Sequence, residues 1–156
     1  MSVSDVSTDS APLHATVLIA RVARLVRQRF EEVLMPLGLR QRHMVALSYL
    51  REHGPTAQQQ LADRLRMDAS SMVCLLNALE DDELVIRNRD RTDRRRAIVE
   101  LSPKGELALL EVDKALEVVE DEVLTRLEAR ERGALRHLLA KLEVGEPDWG
   151  AAANEA

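Results

Sequence analysis

The sequence predicts a mainly α-helical chain with one small β-hairpin, and three observations carry that expectation. Apolar residues recur at three- and four-residue steps over most of the chain, as in helices with one buried face. Two short segments, LVIRNR (84–89) and RAIVEL (96–101), are instead rich in β-branched residues and flank a charged tip, DRTDRR. Aromatic residues make up only 2% of the 156 positions, so the core must be Leu, Val, Ala and Met, which suits helices.

Each element follows from local pattern. Leu18, Val22, Val26, Phe30, Val33 and Leu37 form the stripe of a long first helix, roughly 12–35, which Pro36 and Gly38 end. Met44, Leu47 and Leu50 mark a short second helix that stops before HGP (53–55). Thr56 and Gln59 fit a capping box opening a third, with Leu61, Ala62 and Leu65 inward. After a tight break at Arg66 and Met67, Asp68 is a good N-cap for a fourth helix. Its Met72, Leu75, Leu76 and Leu79 turn inward, and its opposite face carries Ala69, Ser70, Val73, Cys74 and Asn77. The hairpin comes next. Ser102 and Pro103 then pair an N-cap with a proline at the first helical position. Ala108, Val112, Ala115, Val119 and Val123 stripe a long fifth helix, and Leu135, Leu138, Leu139 and Leu142 a sixth.

Two short helices joined by a tight turn and followed by a β-ribbon make a winged helix-turn-helix. The long helices at either end cannot bury their stripes alone, so they are expected to pack across two chains. The organisation expected is a flexible tail (1–11), dimerisation helices (12–36 and 103–144), a DNA-binding domain (37–102) and a second flexible tail (145–156). The start lacks an apolar leader segment and no apolar run approaches a membrane span, so a cytoplasmic protein is expected. A single cysteine excludes an intramolecular disulfide.

Charge points to a partner. RNRDRTDRRR (87–96) holds six arginines and two aspartates, a net +4 in a chain of net charge −5. Arginines on a projecting hairpin can reach phosphates and enter the electronegative minor groove, and a planar, weakly hydrated guanidinium does so better than an ammonium. Small residues at the start of the fourth helix, Ala69, Ser70 and Ser71, would let its N–H groups approach phosphates. Asp93, two residues before Arg95, is expected to hold that arginine in one rotamer.

The stretch LADRLRMDASSMVCLLNALEDDELVIRNRDRTDRRRAIVELSPKG (61–105) resembles the DNA-binding core of the MarR family of bacterial regulators, most specifically in its wing. LGLRQRHMVALSYL (37–50) resembles the second helix of that family. The resemblance spans roughly 13–142. It implies a homodimer of triangular outline, with two winged helices on half-sites of a pseudo-palindromic operator in double-stranded DNA, about one helical turn apart. It places Ser70, Ser71 and Cys74 at groove-facing positions, Arg94 at the wing, and Asp93 and Arg95 on the family's Asp-x-Arg element. Departures follow too. Many members have glycine at Arg66 and Glu83, so those turns are expected to differ locally. Many cap the second helix with Thr or Ser where this chain has Arg40. Many have arginine at Cys74, whereas this helix has no basic residue between Asp68 and Leu84. Phosphate binding should therefore lean on Arg64, Arg66 and the wing residues Arg91, Arg94, Arg95 and Arg96.

Other chemistries fit less well. Cys74 reads as a small filler beside the core, with no nearby cation to activate its thiol. The four histidines are not spaced as metal ligands, no nucleophile or phosphate-cradle motif is present, and the basic segment has no aromatic platform for single strands. No metal or cofactor and no catalysis are expected. The function expected is a dimeric DNA-binding repressor released by a small molecule, with His14, Arg21, His43 and Tyr49 as candidate ligand contacts. The alternative is an architectural or protein-interaction factor whose wing meets another acidic surface.

Overall fold

The computed structural model describes residues 13–142. Both expected tails, and positions 12, 143 and 144 of the expected terminal helices, lie outside the described residues. The chain runs α1 (Ala15–Leu34), a short 3-10 turn (Met35–Leu37), α2 (Gln41–His53), β1 (Thr56–Ala57), α3 (Gln58–Arg64), α4 (Ala69–Asp81), β2 (Val85–Arg89), β3 (Ala97–Leu101), α5 (Pro103–Val123) and α6 (Ala129–Leu142). No described helix is long and apolar enough to cross a membrane.

The sheet has one strand more than the sequence suggests. β3 lies in the centre, antiparallel to β2 from Val85↔Leu101 to Arg89↔Ala97, and antiparallel to β1 through Thr56↔Val99 and Ala57↔Ile98. Thr56 is therefore not a helix cap. It is a buried strand residue whose hydroxyl donates to the Gly54 carbonyl at 2.9 Å, and α3 begins at Gln58 with no side-chain cap. β1 ties the entry of the helix-turn-helix to the wing, which fixes how far the wing can swing from α3.

The core lies between α2, α3, α4, the sheet and the first half of α5. Leu47, Leu50, Leu61, Leu65, Met72, Leu76, Leu79, Val99 and Leu109 are fully buried in it. Leu34 joins it from the end of α1. An Arg51–Asp113 fork, at 2.7 and 3.3 Å, also clamps α2 to α5. α6 buries no residue in this chain and is held to α5 by Arg132–Asp121 and Arg136–Glu120 pairs at 2.5 and 2.8 Å. Leu138 and Leu142 stay 57% and 67% exposed, and Val17, Leu18, Ile19, Val22 and Leu25 of α1 are exposed as well. The stripe of α5 is covered within the chain at Val112 and Val119, whereas those of α6 and of the first half of α1 stay uncovered in a single copy.

Two turns keep the left-handed backbone that glycine favours without having glycine: φ is 51° at Arg66 and 61° at Glu83. The expected local departure does not occur; packing on both sides of each turn dictates the conformation, at about 1–2 kcal/mol per residue. Behind Glu83 the chain is stitched tightly. The Ser102 hydroxyl donates to the Glu83 carbonyl at 2.6 Å and accepts from the Gly105 N–H at 2.9 Å, and the Ser102 N–H donates to the Leu84 carbonyl at 3.1 Å. One serine side chain so joins the turn after α4 to the first turn of α5. A Cβ on Gly105 would lie 2.2 Å from the Leu84 oxygen, so this approach requires glycine.

Candidate nucleic-acid interface

α4 presents the face the sequence assigns to it. Ala69, Ser70, Ser71, Val73, Cys74 and Asn77 are all exposed, opposite the buried Met72, Leu75, Leu76 and Leu79. Cys74 is free and exposed, not a core filler. The N-terminal turn departs from expectation. The Asp68 carboxylate accepts from the Ser71 N–H at 2.9 Å and from the Ser71 hydroxyl at 2.6 Å. Those hydrogen bonds hold its pKa below the ordinary carboxylate value, so a negative charge sits where a phosphate would approach. Ser71 serves the cap.

The wing presents the opposite charge. The Asp90 N–H donates to the Arg96 carbonyl at 2.9 Å, closing the loop between β2 and β3. Within the loop, Asp90 Oδ1 accepts from the N–H and the hydroxyl of Thr92, both at 2.8 Å, which lowers the Asp90 pKa. Asp93 Oδ1 accepts from the Arg95 N–H at 3.0 Å. The expected clamp on the Arg95 guanidinium is therefore replaced by a clamp on its backbone. Each aspartate forms a turn with the residue two positions on, the usual role of Asx side chains in tight loops. The Arg91, Arg94 and Arg95 guanidiniums are exposed, with no hydrogen-bond or ion-pair partner among the described residues. Arg96 is exposed too, close enough to help hold Asp90 ionised.

Wing and helix face one concavity. A cleft of about 590 Å³ is lined by Gln59 and Asp63 of α3, Ala69 and Met72 of α4, and Arg95 and Arg96 at the foot of the wing. Arg64 at the end of α3 and Arg66 in the turn before α4 are exposed. Arg87, which belongs to the charged stretch, is not part of the wing's free charge. Its Nε donates to Glu80 at 2.8 Å, and its Nη2 donates to Glu80 again and to Asn77 Oδ1, the latter at 2.6 Å. Only an oxygen can accept from a guanidinium, so Arg87 fixes the Asn77 amide with its NH2 turned away. Glu80, Arg87 and the cleft-lining Gln59 are absent from the sequence-based assignment. A pairing between helix and strand has no periodic signature, so nothing in the sequence marks it.

Of the four candidate ligand contacts, two lie at α1 and two in α2. His14 flanks the start of α1 and Arg21 lies on its exposed side, lining a shallow cleft with Thr16, Val17, Ala20 and Arg24. His43 and Tyr49 are buried in α2. His43 Nδ1 accepts from the Arg40 N–H at 3.3 Å, supplying from inside the helix part of the cap that Arg40 cannot provide. Burial, aided by the charges of Arg42 and Arg40 and opposed by Asp82, lowers its pKa. The Tyr49 ring stacks on His53, centroids 4.0 Å apart.

Comparison with known proteins matches residues 39–97 to the model of the MarR family. Among solved structures, apo wild-type MarR from E. coli superposes with a TM-score of 0.76 at 22% identity, covering 84% of this chain and 97% of that one. A probable transcriptional regulator from Pseudomonas aeruginosa gives 0.65 at 29% identity, covering 83% and 97%. YusO from Bacillus subtilis gives 0.68 at 21%, covering 83% and 97%.

Proposed function

The chain belongs to the MarR family of winged helix-turn-helix transcriptional regulators, and from that premise we propose that two copies bind a pseudo-palindromic duplex as a repressor that a small molecule releases. The wing carries this reading. Arg91, Arg94 and Arg95 project from a loop that two aspartates hold in shape, with no partner among the described residues, beside an exposed recognition helix. Guanidiniums preorganised in this way lose little freedom on meeting phosphates. The uncovered stripes of α1 and α6 support the dimer. The small molecule would act where α1, α2 and α5 meet, changing the distance between half-sites and so favouring the unbound geometry.

A titration of full-length protein with duplexes selected from a random pool tests the reading. It predicts a palindromic site, two chains per duplex and a steep loss of affinity with salt. Arg95→Ala should weaken binding about ten-fold and reduce the salt slope by about 1 per protomer, similarly for all sequences. If no duplex is enriched, or if Arg95→Ala leaves affinity and slope unchanged, the wing is not a DNA contact. The architectural alternative then takes its place.

A further inference from the structure

We propose that Val73 is a specificity-determining residue that reads the 5-methyl group of thymine in each half-site; this inference rests on the DNA-binding reading above. The exposed face of α4 offers Ala69, Ser70, Val73, Cys74 and Asn77, without a cationic side chain. The commonest specific contact to a base edge, an arginine or lysine fork on guanine, is therefore unavailable from this helix. The Arg87 guanidinium, which touches α4, is occupied by Glu80 and Asn77 and cannot swing into the groove without breaking that pair.

What remains is a surface of small, uncharged side chains on which Val73, 41% exposed and followed by the Cys74 thiol, is the large apolar group. In the major groove of unmodified B-DNA, the 5-methyl of thymine is the apolar group on the base edges. A branched aliphatic side chain gains there by removing both surfaces from water. Phosphate attraction from the wing supplies affinity without sequence information, so discrimination falls to this face.

The test uses full-length protein and the duplex enriched from a random pool. A second duplex carries deoxyuridine for thymidine in the half-sites only, which deletes the methyl groups and keeps every hydrogen-bonding atom. A third carries it only in the flanks. Wild type should lose about four-fold per buried methyl on the half-site duplex, and nothing on the flank duplex. Val73→Ala should bind the thymidine and deoxyuridine half-sites equally, while Val73→Thr, which keeps one methyl, should retain part of the discrimination. Enriched half-sites without thymine, no loss on substitution, or an equal loss in Val73→Ala would overturn the proposal. A pool from which nothing is enriched overturns the regulator reading itself, and this inference with it.

Discussion

Single side chains separate roles that look alike in the sequence. The sequence pairs Asp93 with the side chain of an arginine two residues on, yet it binds that arginine's N–H. An asparagine keeps the same acceptor oxygen, so Asp93→Asn should bind DNA within about two-fold of wild type. Asp93→Ala, which opens the turn, should bind several-fold more weakly with the fold intact by circular dichroism. A guanidinium clamp would instead make the two variants alike. His43 gives a second contrast. Its pKa in the folded chain lies below the usual value of about 6.5 because burial disfavours the imidazolium. Its contribution is therefore fully present above about pH 6.5, where folded and unfolded chains are both neutral. It is lost as pH falls from there through the lower folded value. Urea midpoints measured between pH 7.5 and 5 should fall over that window, and His43→Gln should flatten the slope. An unchanged slope would show that other groups govern it.

Among whole elements, stitching matters more than propensity. Gly105 lets α5 start against the Leu84 carbonyl, and Gly105→Ala should cost about 1–3 kcal/mol through that overlap, read as a lower urea midpoint. Stability within 0.5 kcal/mol of wild type would mean the junction can open without loss. The helices were legible because a 3.6-residue stripe is written over many positions, and the hairpin because β-branched runs flank a charged tip. Asp68 and Ser102 were legible as caps because their bonds are local. β1 was not. Two residues show no alternation, and Thr56 with Gln59 satisfies a capping pattern as well as a strand end. Pairing with Val99 decided between the two, and that contact spans 43 positions. The Glu80–Arg87–Asn77 cluster escaped because a pairing of helix with strand leaves no periodic mark, while the exposed face of α4 was readable because it is the complement of a helical stripe.

Taken as a whole, the molecule has a closed core at its centre and open apolar surfaces at both ends of the chain. α6 makes the point most clearly, since ion pairs hold it and no residue of it is buried. Its leucines need another surface, and a second copy offers the same one under two-fold symmetry. The melting temperature should rise with protein concentration, as linkage requires of a chain stabilised by its own association. Leu138→Glu should shift the sedimenting species from dimer toward monomer and lower the melting temperature. A dimer of unchanged strength would place the interface elsewhere.

The serine stitch at residue 102 also has a mechanical consequence. α5, at 21 residues, is a rod of about 32 Å, and its near end is fastened to the turn that closes the recognition helix. A rod so fastened is a lever. A tilt of about 6° at the far end moves the fastened end by about 3 Å, close to the 3.4 Å step between base pairs. If two copies sit on one duplex as proposed, an event among the distant helices need not touch the wing or the recognition helix to put the two copies out of phase with the DNA.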